Sequence, residues 1–154
     1  MSAHTAMVTW ARRGQAFTDN RYSRAHEWRF DGGAVVPASS SPHVVPLPMS
    51  EAANVDPEEA LAAAASSCHM LFFLSLAARR GWVVESYADR AEAHMGKDGE
   101  GREAITRIVL RPDIRFAGAV PPQQEIDAVH HQAHALCFIA NSLKSEIVVE
   151  PPSA

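Results

Sequence analysis

The chain has 154 residues, 47% hydrophobic and 21% charged, with a formal net charge of −4. That is the composition of a globular protein and excludes a disordered chain; with no Lys/Arg-rich run, nucleic acid is not expected as the partner. A chain of this length is expected to form one domain, residues 1–154.

Nothing from Met1 to Trp10 reads as a basic start leading into an apolar stretch, and the longest apolar run, around Met70–Ala78, is about half of what a bilayer needs. A cytosolic protein without a membrane partner is therefore expected. In that compartment paired cysteines tend to be catalytic, redox-sensing or metal-binding rather than structural.

In chain order, residues 7–19 alternate patchily (Val8, Trp10, Phe17) and residues 28–36 alternate on both sides of Asp31-Gly32-Gly33, which predicts two strands and a turn. Residues 37–57 are rich in Ser and Pro and predict a connecting loop. Asp56-Pro57-Glu58-Glu59 then opens a helix: a capping Asp, Pro at the first position, acids in the first turn. The run from Ala60 to Ala78 is apolar almost all round and closes with Arg79-Arg80-Gly81. This predicts a central helix wrapped by sheet or by a second subunit. Residues 82–95 predict a strand, 97–101 a hairpin turn and 104–116 the returning strand, with Ile105, Ile108, Leu110, Ile114 and Phe116 as its apolar positions. Pro121-Pro122 opens a second helix to about Ala140, and residues 146–150 a last strand. This order lacks regular βαβ alternation, so the expected class is α+β, with helices packed against antiparallel sheet.

The two cysteines are 69 positions apart, Cys68 in the apolar helix and Cys137 in the second one. Ser66-Ser67 are placed to cap a fresh helix start just before Cys68, where unpaired N–H groups favour thiolate. One attacking and one resolving sulfur is the smallest set that lets a peroxidase close its cycle through a disulfide. A plain buried core cysteine is the competing reading for Cys68.

Asp56-Pro57-Glu58-Glu59-Ala60-Leu61 with the run through Ser66-Ser67-Cys68 resembles the N-P-E-x-L-x-A-A-x-x-x-x-C signature of the OsmC/Ohr family. His134-Ala135-Leu136-Cys137-Phe138-Ile139-Ala140-Asn141-Ser142 resembles its second signature, which leads to C-P-x-S-N. The resemblance implies antiparallel sheets around a buried central helix and an intertwined homodimer with active sites at the subunit interface. It also implies reduction of organic hydroperoxides or hydrogen peroxide without a cofactor, with an external dithiol (a lipoylated protein or a small thiol) as reductant. By motif position Cys68 is the peroxidatic cysteine, Cys137 the resolving one, and Glu58 the acid that holds an active-site arginine. Arg24 is the choice for that arginine and Arg21 the alternative. Phe138 stands where the family has Pro, and His69 comes directly after the first cysteine, which marks a divergent branch. On one straight helix Glu58 and Cys68 stand roughly 15 Å apart, so a helix break near Ser66 is expected.

Two readings from other classes stand beside this one. His130, His134 and Cys137 fall at i, i+4 and i+7, the spacing of helix-borne metal ligands, with Cys68 or His69 as the candidate to complete the set. Alternatively the fold keeps a pocket as a binding module, and the thiols serve only packing.

Overall fold

A computed structural model describes residues 1–152, and the chain divides into two compact units, Met1–Ala60 and Leu61–Ala154. In the first unit, β1 (Ala6–Thr9), β2 (His26–Phe30) and β3 (Val35–Ala38) form an antiparallel sheet with Val8, Trp28 and Val36 in register. Asp31-Gly32-Gly33 turns β2 into β3 as expected, with Gly33 at φ +91° and its N–H on the Phe30 carbonyl at 3.0 Å. The first strand is much shorter than its patchy alternation suggested. Arg13 and Gly14, at φ +50° and +79°, turn the chain. The loop beyond β1 packs Trp10, Phe17 and Tyr22 on one another, and Phe17 and Tyr22 stack at 4.6 Å.

Helix α1 (Pro57–Arg79) starts where the sequence places it. Asp56 and Glu59 cap it reciprocally: Glu59 N–H donates to Asp56 Oδ1 and Asp56 N–H to Glu59 Oε1, both at 2.8 Å. It ends as expected at Gly81, φ +74°, where Trp82 N–H reaches back to the Ala77 carbonyl at 3.0 Å. The expected break near Ser66 is not there. The helix runs unbroken, and Ser66 Oγ donates to Asp89 Oδ2 instead of capping a new turn. Nor is the helix buried on every side within this chain. Ala62, Ala65, His69, Phe73, Leu76 and Ala77 form a buried stripe, whereas Leu71, on the opposite side, is 60% exposed. By length and composition α1 is apolar enough to cross a bilayer, a longer element than the apolar run suggested, but this stripe belongs to the hydrophobic core of the second unit.

The second unit holds two small sheets where two long strands were expected. Strands β4 (Val83–Asp89) and β7 (Pro112–Ala117) pair with each other, as do β5 (Glu92–Lys97) and β6 (Glu103–Leu110). The ribbon is broken at a corner between Asp89 and Pro112. There Asp89 Oδ1 accepts the Arg111 N–H at 2.6 Å, while its other oxygen holds Ser66 on α1. One carboxylate thus ties the corner to the middle of the helix. The predicted turn at 97–101 joins β5 to β6, with Asp98 accepting the N–H groups of Glu100 and Arg102 at 2.9 Å each. A bulge interrupts this pair: His94 faces Arg107 but Met95 faces Ile105, which leaves Thr106 as the extra residue. That insertion accounts for the odd spacing between Ile105 and Ile108.

Helix α2 (Gln123–Leu136) and the short α3 (Phe138–Ser142) replace the single second helix expected. Strand β8 (Glu146–Val149) then joins β6 in parallel, the one parallel strand pair among the described residues, and α2 lies in the connection that makes it possible. Two core clusters result. Phe73, Leu76 and Ala77 of α1 pack with Ile126, Val129 and Ala133 of α2, with side chains of β4 and β7 against them. Ala65 packs with Ile108 and Leu110 of β6, with Ile139 and Ile147 alongside. The class is α+β with largely antiparallel sheet, as expected.

Candidate active site

Cys68 and Cys137 both lie in the second unit, and both are free thiols. Cys68 is half-buried midway along α1, one residue short of the buried stripe position His69. Cys137 is 1% exposed and sits at the junction between α2 and α3. The helix break expected at Cys68 falls at Cys137 instead. Its extended backbone (φ −65°, ψ 113°) ends α2, and its Sγ accepts the Ala140 N–H at 3.4 Å. Cys137 therefore caps α3 as a serine would, whereas Cys68 lies in the interior of α1 and not at the start of a new helix.

The fold brings Cys68 close enough to Cys137 to perturb its thiol. Burial pushes the Cys137 thiol up in pKa; the Ala140 N–H opposes this, and the neighbouring Cys68 adds to it. Cys137 thus keeps its proton, and Cys68 is the more accessible sulfur. Apolar side chains border the pair: Phe72 meets Phe138 edge-on at 5.1 Å, and Phe138 is 72% exposed.

The acid and the arginine lie in the first unit and are not joined. Glu58 stands in the first turn of α1, and its Oε2 is buried without a hydrogen-bond partner among the described residues. The Arg24 guanidinium is engaged elsewhere. It donates to the Asn20 carbonyl at 3.0 Å, to Asn20 Oδ1 at 2.9 Å and to the Tyr22 carbonyl, and it lies over the Tyr22 ring at 3.8 Å. The expected Glu58–Arg24 clasp is therefore not formed within this chain, because the tight turn at Asn20 (φ +60°) offers the guanidinium its own oxygens. Arg21, the alternative, is exposed.

The histidine face predicted on the second helix exists, with a different partner. His130 Nδ1 lies 3.0 Å from His69 Nε2, the rings nearly parallel and the residues 8% and 1% exposed. Burial, with the nearby His130 and His134 adding to it, lowers His69 to a pKa of about 4. Burial also lowers His130, against the opposing charges of Asp127 and Asp89. Both imidazoles are thus neutral near pH 7. Among the described residues no three His, Cys, Asp or Glu side chains converge to hold a metal ion, so the metal reading of His130, His134 and Cys137 finds no geometry here. His69 was expected beside this face only as a further metal ligand, and its hydrogen-bonded pairing with His130 was not expected. Its only sequence signal is phase: His69 lies four residues from both Ala65 and Phe73, on the stripe that α1 buries.

The chain has counterparts among known proteins. The family model described as OsmC-like protein matches residues 50–151. An OsmC-like protein of unknown function from Vibrio cholerae has 56% identical residues and a TM-score of 0.95, with 98% of this chain and 99% of that one covered. An organic hydroperoxide resistance protein from Elizabethkingia anophelis shares the fold at 16% identity and TM-score 0.70, covering 99% and 95%. One from Legionella pneumophila does so at 14% and 0.65, covering 99% and 96%. Among curated proteins none matches the chain.

Proposed function

The chain belongs to the OsmC-like protein family, and from that premise we propose that it is a two-cysteine peroxidase acting on organic hydroperoxides or hydrogen peroxide. The observation that carries the proposal is the approach of Cys68 to Cys137 across 69 positions of sequence. Two reduced thiols in one small unit, one accessible and one buried and proton-holding, divide the work of attack and resolution between them.

The steps balance simply. The Cys68 thiolate attacks the terminal oxygen of the hydroperoxide, the O–O bond breaks, and the alkoxide leaves as the alcohol after taking a proton. Cys68 is then a sulfenic acid. The Cys137 sulfur attacks it, its proton leaves with the hydroxyl as water, and a Cys68–Cys137 disulfide forms. An external dithiol, available in a reducing cytosol, returns both sulfurs to thiols. The apolar border of Phe72 and Phe138 suits a hydroperoxide with a bulky organic group. Glu58, with its unpartnered buried oxygen, is the proposed seat for Arg24 when the guanidinium leaves Asn20. The working unit proposed is a homodimer, with the exposed face of α1 around Leu71 at its interface.

The test is a thiol count after anaerobic mixing with cumene hydroperoxide. Wild type is expected to lose both thiols, and the Cys68→Ser variant to keep its single remaining one. Thiols that outlast excess peroxide in wild type would sink the proposal.

A further inference from the structure

A cleft of about 770 Å³ opens in the second unit, lined by α2, β7 and the segment from β8 onward, and neither cysteine lines it. Its volume lies within the range of small-molecule sites. Ile114, Phe116, Val120 and Ile126 give it an apolar wall. Its charged lining is of one sign: Asp113, Asp127 and Glu150, with no Lys or Arg. Glu150 is already matched by Arg107 at 3.2 Å and Arg111 at 3.3 Å. Asp113 and Asp127 have no cation among the described residues; Asp127 accepts only the Gln123 amide, at 2.8 Å through one oxygen.

The lining includes His130, more than nine-tenths buried, with no protein partner for Nε2 among the described residues. The tautomer of this ring is set by its neighbour. His69 Nδ1 is buried with no partner. A bare lone pair there costs less than an unsatisfied N–H donor would, so His69 carries its proton on Nε2 and donates it to His130 Nδ1. His130 then carries its own proton on Nε2 and presents a donor to the cleft.

We infer that this cleft is a binding site for a small organic amine: an apolar body on the Ile114–Phe116 wall, an ammonium group at Asp113 and Asp127, and an acceptor oxygen for the His130 Nε2–H. Two carboxylates lacking a counter-cation beside an apolar wall favour a cation that brings its own apolar surface. The neutral state of His130, kept by burial, preserves the donor without adding a repelling charge.

Phenylalaninol carries all three features, and its N-acetyl derivative lacks only the charge. Titration calorimetry with the full chain at neutral pH is expected to give millimolar or tighter binding of phenylalaninol. Its N-acetyl derivative, and the D113N/D127N variant with phenylalaninol, are each expected to bind about tenfold more weakly. Nitrogen-15 spectra of the histidine side chains are expected to show a shift at His130 Nε2 on binding. The inference is overturned if phenylalaninol gives neither heat nor that shift at millimolar concentration. It is equally overturned if the uncharged derivative binds as well, or if the double variant, folded by its thermal transition, binds unchanged.

Discussion

His69 and Cys137 have their chemistry set by burial. A His held at about 4 in the fold and near 6.5 in the unfolded chain binds its proton more readily when unfolded. Its contribution to stability is therefore complete above pH 6.5 and lost as pH falls from there toward 4, by at most about 3 kcal/mol. Urea midpoints are expected to drop steeply between pH 7 and pH 5 in wild type, and much less in His69→Leu, whatever that variant's overall stability. For the cysteines, Cys137→Ser is expected to leave one thiol that still reacts with peroxide and then stalls as a sulfenic acid. Dimedone labelling of Cys68 with a mass shift in this variant, and little in wild type, is the measurement. Both cysteines stand out in the sequence, and the fold brings them near each other. The His69–His130 contact does not stand out there, because it joins residues 61 positions apart through a packing that neither segment announces.

At the level of elements, the strand pair spanning residues 83–117 shows where pattern reading stopped short. Its alternation and its turn were legible; its division into four strands was not, because the corner is made by side-chain hydrogen bonds to Asp89. Pro112, which opens β7, was the available hint, since proline within a strand run argues for an interruption. Asp89→Ala would leave the Arg111 N–H and Ser66 Oγ without their acceptor and is expected to cost about 2 kcal/mol, read from denaturant unfolding. Gly96 tests the bulge. A Cβ there would lie 2.8 Å from Thr106 Oγ1, so Gly96→Ala is expected to destabilise by about 1 kcal/mol or more and to be partly rescued by Thr106→Ala in the double variant. The helix ends were the most legible features of all, since Asp56, Glu59 and Gly81 each act through a local hydrogen bond or backbone conformation.

For the molecule as a whole, class and element order came from hydrophobic pattern and family signatures, while the partners of α1 did not. The sequence asked for a helix covered all round, and one chain covers a single stripe of it. The proposed dimer supplies the remainder. Sedimentation is expected to give a dimer for wild type, and Leu71→Glu, at a residue 60% exposed in the single chain, is expected to shift it toward monomer and to lower peroxide turnover with it. The unbroken course of α1 also fixes an angle. A helix advances about 100° per residue, so Cys68 and His69 are aimed apart by little more than a quarter turn, one toward its partner thiol and the other into the core. With no loop to absorb an added residue, the helix works as a dial. A single alanine inserted between Ser67 and Cys68 would rotate the thiol into the direction now taken by His69, silencing the sulfur without altering its chemistry.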